Sequence, residues 1–430
     1  MNIFKLAEMT EKEKNFIMKR AEFDISGHME LAKEVSDDIR ERGDEALLEY
    51  TQKFDKVTLT REAIKVKPEE IEEGYKNLDL KTREAIEYAA KNIHNFHEKQ
   101  LPEEMWFTEV DKGLMVGEKT TPIVDVCLYV PRGKGSFPSV LCMLGIPAVV
   151  AAVPKIVVVT PPNELGNVDD AILAAAKIIG ITEIYKVGGI QAVAAAAFGT
   201  ETIPKCHKII GPGNAYATAA KRVLANYIDA GLPAGPSEAI ILADKNADPE
   251  KVALDWMIEA EHGPDSASLL VTNSEELVEK VLPIVERQLQ KISEKRRDFV
   301  SRNFSTYGGV IITKSLEESV EFVNDYAPEH MEVMTKNPFD ILPMIKNAGE
   351  ILLGEYTPVT LCNFVLGPNA ILPTGQFAKT YSSVSVFDFL KRSSVGYASR
   401  AGFEMVRDYA DRFATVEGFD THALAVRERK

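Results

Sequence analysis

The chain has few cysteines, no long uninterrupted apolar run and no excess of positive charge, and each shortage removes a class of function. Cys127, Cys142, Cys206 and Cys362 are the only cysteines in 430 residues, widely spaced and without a CxxC pair. That spacing offers neither a disulfide framework nor a zinc ribbon, and it fits a reducing cytoplasm. The most apolar stretch, Ser139 to Thr160, is interrupted by Pro147, Pro154 and Lys155. A buried helix followed by a core strand is therefore expected there rather than a membrane span. The N-terminal stretch MNIFKLAEMTEKEKNFIMKR is charged throughout and lacks the apolar core of a signal peptide. A formal net charge of -15 argues against nucleic acid or an anionic membrane as partner, since both require a basic face. A local basic pocket for a small anion stays open.

Hydrophobic residues make up 45% of the chain and charged residues 27%, the balance of a globular protein long enough for two or three domains. Residues 1 to about 120 read as mainly helical. Leu31, Val35, Ile39, Ala46 and Leu47 recur at helical spacing, and Pro68 to Lys99 continues the pattern. His28, His94 and His97 fall in this region and are expected at the surface or at helix caps. From Pro122 to Ala239 short β-rich runs alternate with alanine-rich helical stretches, the pattern of a parallel α/β sheet covered on both faces. The last fifty residues read as helices.

Ligands of such sheets bind at the carboxyl ends of the strands. Three turns are placed for that: Pro131-Arg132-Gly133-Lys134-Gly135, Gly188-Gly189-Ile190-Gln191 and Gly211-Pro212-Gly213-Asn214. The last opens a helix whose amides and dipole could meet a phosphate. It is not a dinucleotide fingerprint, because Tyr216 stands where the third glycine belongs and no acidic partner lies at the right distance. Glu259 and His262, three apart near the end of a helix begun by Asp248-Pro249, have spacing suited to a shared metal or simply to a surface pair. In NDYAPEHME, Glu329 and His330 follow Ala327-Pro328, so both should leave a helix end or turn together. A carboxylate beside an imidazole can move protons near neutral pH.

The blocks VCLYVPRGKGSFPSVLCMLGIPA, VGGIQAVAAAAFGT, IIGPGNAYATAAKR, AGPSEAIILAD, EAEHGPDS, YAPEHMEV, AGEILLGEYTP, GPNAILPTG, SVSVFDFLKRSSV and EGFDTH together resemble the histidinol dehydrogenase family, in the family's order. The resemblance implies an α/β fold of two incomplete Rossmann-like domains facing a cleft. Residues 122–237 would form the NAD-binding domain, and 26–121 with 238–380 the other. Residues 1–25 would be a helical arm, and 381–430 a helical tail swapped into the active site of a homodimer partner. It also implies oxidation of a primary alcohol through an aldehyde to a carboxylate, reducing two NAD. By motif, His330 would be the base, and Glu329 would activate the water that hydrates the aldehyde. Tyr129, Gln191 and Asn214 match the NAD contacts, Ser237 a substrate contact, and Glu417 and His422 a substrate contact and a zinc ligand donated by the neighbour.

The family's zinc set is Gln, His, Asp and His, whereas the matching positions here are Glu259, His262, Asn363 and His422. One amide has become a carboxylate and one carboxylate an amide, so the formal charge is kept and zinc is still expected. Ala370 replaces the family's substrate-contacting histidine, and Arg132 and Lys134 add two cations beside Tyr129. These departures leave L-histidinol in competition with another small polyol or amino alcohol, such as the anionic substrates of sulfopropanediol dehydrogenases. A catalytically silent paralogue is a further alternative. An aldehyde dehydrogenase with a cysteine nucleophile finds no activating context around any of the four cysteines.

Overall fold

The computed structural model describes residues 1–20, 25–132 and 135–430. Lys134 lies outside the described residues. The first seven strands are β1 (Ile3–Lys5), β2 (Met105–Asp111), β3 (Leu114–Pro122), β4 (Val126–Tyr129), β5 (Ile156–Thr160), β6 (Ile184–Lys186) and β7 (Ile209–Ile210). They are followed by β8 (Glu238–Ala243), β9 (Ala267–Thr272), β10 (Gly309–Ile312), β11 (His330–Met334), β12 (Glu350–Leu353) and β13 (Leu390–Ala398). The chain divides into two compact units, Met1–Gln100 with Val124–Asp388, and Leu101–Ile123 with Phe389–Lys430.

The first unit holds two parallel sheets. The larger runs β1-β10-β9-β8-β11-β12 and the smaller β6-β5-β4-β7. Every residue of β8, β9 and β11 is buried, because a parallel sheet covered on both faces leaves no solvent side for an alternating pattern. On one face of the larger sheet, Trp256 stacks on Phe304 with ring centroids 4.1 Å apart, and the indole Nε1 donates to the Ser268 carbonyl at 3.1 Å. Fully burying such a side chain contributes about 2–3 kcal/mol. Val320, Phe322 and Tyr326 cover the other face, packing in one core with Met331 and Val333 of β11. The arm expected to be helical opens instead with a strand: β1 pairs with β10 at the sheet edge, and helix Glu11–Lys19 follows behind a Thr10–Glu13 capping box.

Around the smaller sheet, helix Gly189–Phe198 buries a run of alanines that lets its neighbours approach closely. Helices Met29–Arg42 and Asp44–Asp55 place Val35, Ile39 and Leu47 in the same core as Cys127, Val157 and Ala195. These N-terminal helices, which the sequence groups with the larger sheet, thus share their core with the smaller one. The apolar stripe of Met29–Arg42 meets the flat alanine surface there.

The second unit contains an antiparallel sheet, β13-β3-β2, and helices Arg400–Val416 and Asp420–Arg427. The hairpin β2–β3 lies in a region that reads as helical, and β13 lies in one that reads as C-terminal helices. All seven residues of β2 are exposed, so no inside–outside alternation marks the strand. The legible signal is the turn: Gly113 takes φ +75°, a conformation that favours glycine. Among the described residues, no helix is long and apolar enough to cross a membrane.

Candidate active site

Helix Leu316–Tyr326 ends on Ala327, which sits in the left-handed region at φ 51° and donates its N–H to the Val323 carbonyl at 2.8 Å. For an alanine this costs about 1 kcal/mol. Pro328 then prevents the helix from continuing, Glu329 follows, and His330 opens β11. The dyad therefore lies at the amino edge of the larger sheet. The turns expected at strand carboxyl ends belong to the smaller sheet, where they follow β4, β6 and β7.

His330 is in register with Ala239 of β8 and with Glu350 of β12. Its Nδ1 hydrogen-bonds Oε1 of Glu350. Its Nε2 faces Glu329 Oε1 at 3.8 Å and Glu259 Oε1 at 3.9 Å. The other oxygen of Glu329 accepts from the Glu238 N–H at 2.8 Å. Glu238 in turn accepts from the Gly375 N–H at 2.7 Å and lies 3.3 Å from Nε of Arg20, whose guanidinium stacks 3.6 Å over the Tyr326 ring. Glu350, Glu238 and Arg20 have no motif of their own in the sequence. Glu350 and Glu238 enter the site because β8, β11 and β12 are adjacent, and Arg20 arrives from the end of helix Glu11–Lys19.

Three of the four expected metal ligands meet beside this dyad. Helix Pro249–Trp256 stops earlier than expected, and a short 3-10 turn, Glu259–Glu261, carries the chain to His262. Glu259 is fully buried; its Oε2 is 2.8 Å from His262 Nδ1, and its Oε1 accepts from Asn363 Nδ2 at 3.1 Å. The Ser237 hydroxyl lies 2.9 Å from the same His262 nitrogen. No cluster of three or more His, Cys, Asp or Glu residues with metal-binding geometry occurs among the described residues, and Asn363 belongs to none of those types. In the second unit, His422 lies on helix Asp420–Arg427 with its ring 5.2 Å from Phe419, and exposed Glu417 caps helix Arg400–Val416.

Several carboxylates crowd one imidazole, and the titrations follow from that. Burial, with Glu259 and Glu238 nearby, pushes Glu329 up to about 8. Burial alone would lower His330, but Glu259, Glu329 and Glu350 outweigh it and raise the group to about 10. Burial likewise opposes ionisation of Glu259, yet His262 and His330 hold it down at about 2. A divalent cation on Glu259 would offset this negative field and bring His330 back towards neutrality.

The residues matched to the cofactor line the carboxyl end of the smaller sheet. Tyr129 is buried, and its hydroxyl accepts from the Gly189 N–H at 3.0 Å. Gln191 donates to Asp55 at 3.1 Å, while its buried Oε1 has no hydrogen-bond partner among the described residues. Asn214 is the N-cap of helix Ala215–Val223 and accepts from the Ala217 N–H at 3.0 Å. Arg132 pairs with Asp169 at 3.4 Å, so its charge is already matched within the chain. Ala370 is half-buried in the loop after Asn369. His97 departs from expectation: it is fully buried, with Nδ1 2.7 Å from the Ile93 carbonyl and Nε2 3.2 Å from Asn369 Nδ2. All four cysteines are buried and unpaired in disulfides, and burial raises Cys127, Cys142 and Cys362, the opposite of what a thiolate nucleophile needs.

Glycine turns at the carboxyl edge of one parallel sheet, with a buried Glu–His pair beside Glu259, His262 and Asn363 at the amino edge of another, are the arrangement of an α/β enzyme of proton and cofactor chemistry. The family model described as histidinol dehydrogenase matches residues 18–430. The chain is 47% identical over 428 residues to a histidinol dehydrogenase of Synechocystis sp., covering 100% of this chain and 99% of that one. It is 46% identical over 427 residues to a histidinol dehydrogenase homolog of Colwellia psychrerythraea, covering 99% and 96%. The crystal structure of histidinol dehydrogenase from Elizabethkingia anophelis superposes with a TM-score of 0.92 at 36% identity, covering 97% of this chain and 96% of that one. The chain belongs to the histidinol dehydrogenase family and is an NAD-dependent oxidoreductase.

Proposed function

We propose that this protein oxidises L-histidinol through the aldehyde to L-histidine, reducing two NAD per turnover, as a cytoplasmic homodimer. The observation that carries the reading is the convergence of Glu329, His330, Glu259, His262 and Asn363 on one sheet edge. The full-length relatives favour histidinol over the anionic polyol that Ala370 and Arg132 left open, and Asp169 already matches the charge of Arg132.

The donors fit a zinc ion: a carboxylate, an imidazole and an amide that carries an oxygen beside its nitrogen, with His422 of the second protomer as the fourth. The glycine turns and the unpartnered Gln191 Oε1 fit NAD, which we assign to Tyr129, Gln191 and Asn214. When bound, zinc supplies a Lewis acid for the substrate hydroxyl, and NAD supplies the hydride acceptor.

The chain's own groups move the protons. His330 Nε2 takes the hydroxyl proton in the first oxidation. Glu329, held through Oε2 by the Glu238 N–H, keeps Oε1 towards His330 and serves as the base for water adding to the aldehyde. A carboxyl raised to about 8 by burial is far more basic than an exposed one, which suits it to that step. Ser237, beside His262, and Glu417 of the second protomer orient the substrate.

The test is NADH formation with L-histidinol, alongside metal analysis of protein purified without chelator or affinity-tag metal. Absence of turnover would overturn the substrate, and full activity without metal would overturn the zinc. Shared active sites are tested by mixing two inactive variants, Glu329→Gln and His422→Ala. Exchange of subunits should restore roughly a quarter of the sites, because each mixed dimer regains one intact site. No restoration after verified exchange would remove the tail from the partner's site.

A further inference from the structure

We propose that Glu350 is a positioning residue that fixes which nitrogen of His330 carries the proton, leaving Nε2 as the basic atom. The inference rests on His330 being the proton acceptor of the proposed reaction. A neutral imidazole has one donor and one acceptor nitrogen, and only its surroundings choose between them. Oε1 of Glu350 meets Nδ1. A carboxylate oxygen accepts from an N–H, so the neutral ring held this way carries its proton on Nδ1 and its lone pair on Nε2. That second nitrogen is the one facing Glu329 and Glu259.

The fold holds Glu350 to this task at two levels. Across parallel strands in register, His330 and Glu350 stand opposite each other and present their side chains on one face. Their backbones are joined as well, for the Glu350 N–H donates to the Glu329 carbonyl at 3.0 Å and the Gly349 N–H to the Pro328 carbonyl at 2.9 Å. Both side chains are nearly excluded from water, and besides His330 the Cys362 thiol lies within hydrogen-bond reach of the Glu350 carboxylate. Burying a carboxylate is costly unless it is hydrogen-bonded, and the contact with His330 Nδ1 supplies such a bond. Carboxylate-held histidines elsewhere lose one to four orders of magnitude in rate when the carboxylate is replaced.

The holoenzyme is assayed as wild type, Glu350→Gln, Glu350→Asp and His330→Gln. The isosteric Glu350→Gln carries the test, since an alanine could collapse the site. It should lower kcat about tenfold or more while KM for L-histidinol and NAD changes less than about twofold. Glu350→Asp, which keeps the charge, should retain more activity than Glu350→Gln. Ring nitrogen NMR of His330, assigned by the signal missing in His330→Gln, should show a single Nδ1-protonated form in wild type and a mixture in Glu350→Gln. Unchanged kcat in Glu350→Gln with an inactive His330→Gln overturns the role of Glu350 alone. Full activity of His330→Gln overturns the base itself. An unaltered ring signal with reduced activity reduces Glu350 to a structural part and overturns the inference.

Discussion

The pH dependence of stability tests the electrostatics of the site without any substrate. Glu329 rises from an ordinary 4.5 to about 8 on folding, chiefly through burial. A carboxyl with a higher pKa in the folded state binds its proton more tightly there. It stabilises the fold fully below 4.5, and that contribution is lost as pH rises through about 8. At about 1.4 kcal/mol per unit, the linked change reaches several kcal/mol, a large share of the 5–15 kcal/mol that typically separates folded from unfolded. Glu329→Gln mimics the protonated acid at every pH and removes this dependence. In metal-free protein, urea unfolding across that range should show wild type losing stability relative to the variant as pH rises. Adding zinc should shrink the difference, because a cation favours the ionised form. Parallel curves for the two proteins would refute the reasoning, since they would mean that Glu329 ionises as freely folded as unfolded.

Asn214 caps a helix, so Asn214→Ala should cost about 1 kcal/mol in denaturant unfolding without NAD, and Asn214→Asp much less. If Asn214 also touches the cofactor, both variants weaken NAD binding by titration calorimetry. At Gly349 a Cβ would stand 2.6 Å from the Glu329 carbonyl and 3.2 Å from Leu372 Cβ, so Gly349→Ala must displace the entry to β11. It should lose about 1–3 kcal/mol of stability and most of kcat. Gly27→Ala, whose Cβ would meet nothing within 4 Å, should leave kcat unchanged and serves as the control.

Local chemistry made much of the molecule legible in its sequence. The alternation of strand and alanine-rich helix between Pro122 and Ala239 appears as expected in the smaller sheet, because its buried strands and small-residue helices follow from short-range pattern. Glu329 and His330 were visible as neighbours, and Glu259 and His262 as a pair three apart. The hairpin β2–β3 was not, because β2 is exposed on both faces and lacks the alternation that marks a half-buried strand. His97 was expected outside and is buried, because the loop that receives it lies 272 positions away.

The residues alone determined the α/β class, the glycine turns and the acid–imidazole pair, since each depends on side chains close together along the chain. Tertiary structure alone decided that the pair stands at the amino edge of the larger sheet, that Glu259, His262 and Asn363 meet beside it, and that Glu350 faces His330. Those contacts join positions up to 104 residues apart. Strand order and register bring such groups together, and neither is written in any short stretch of sequence.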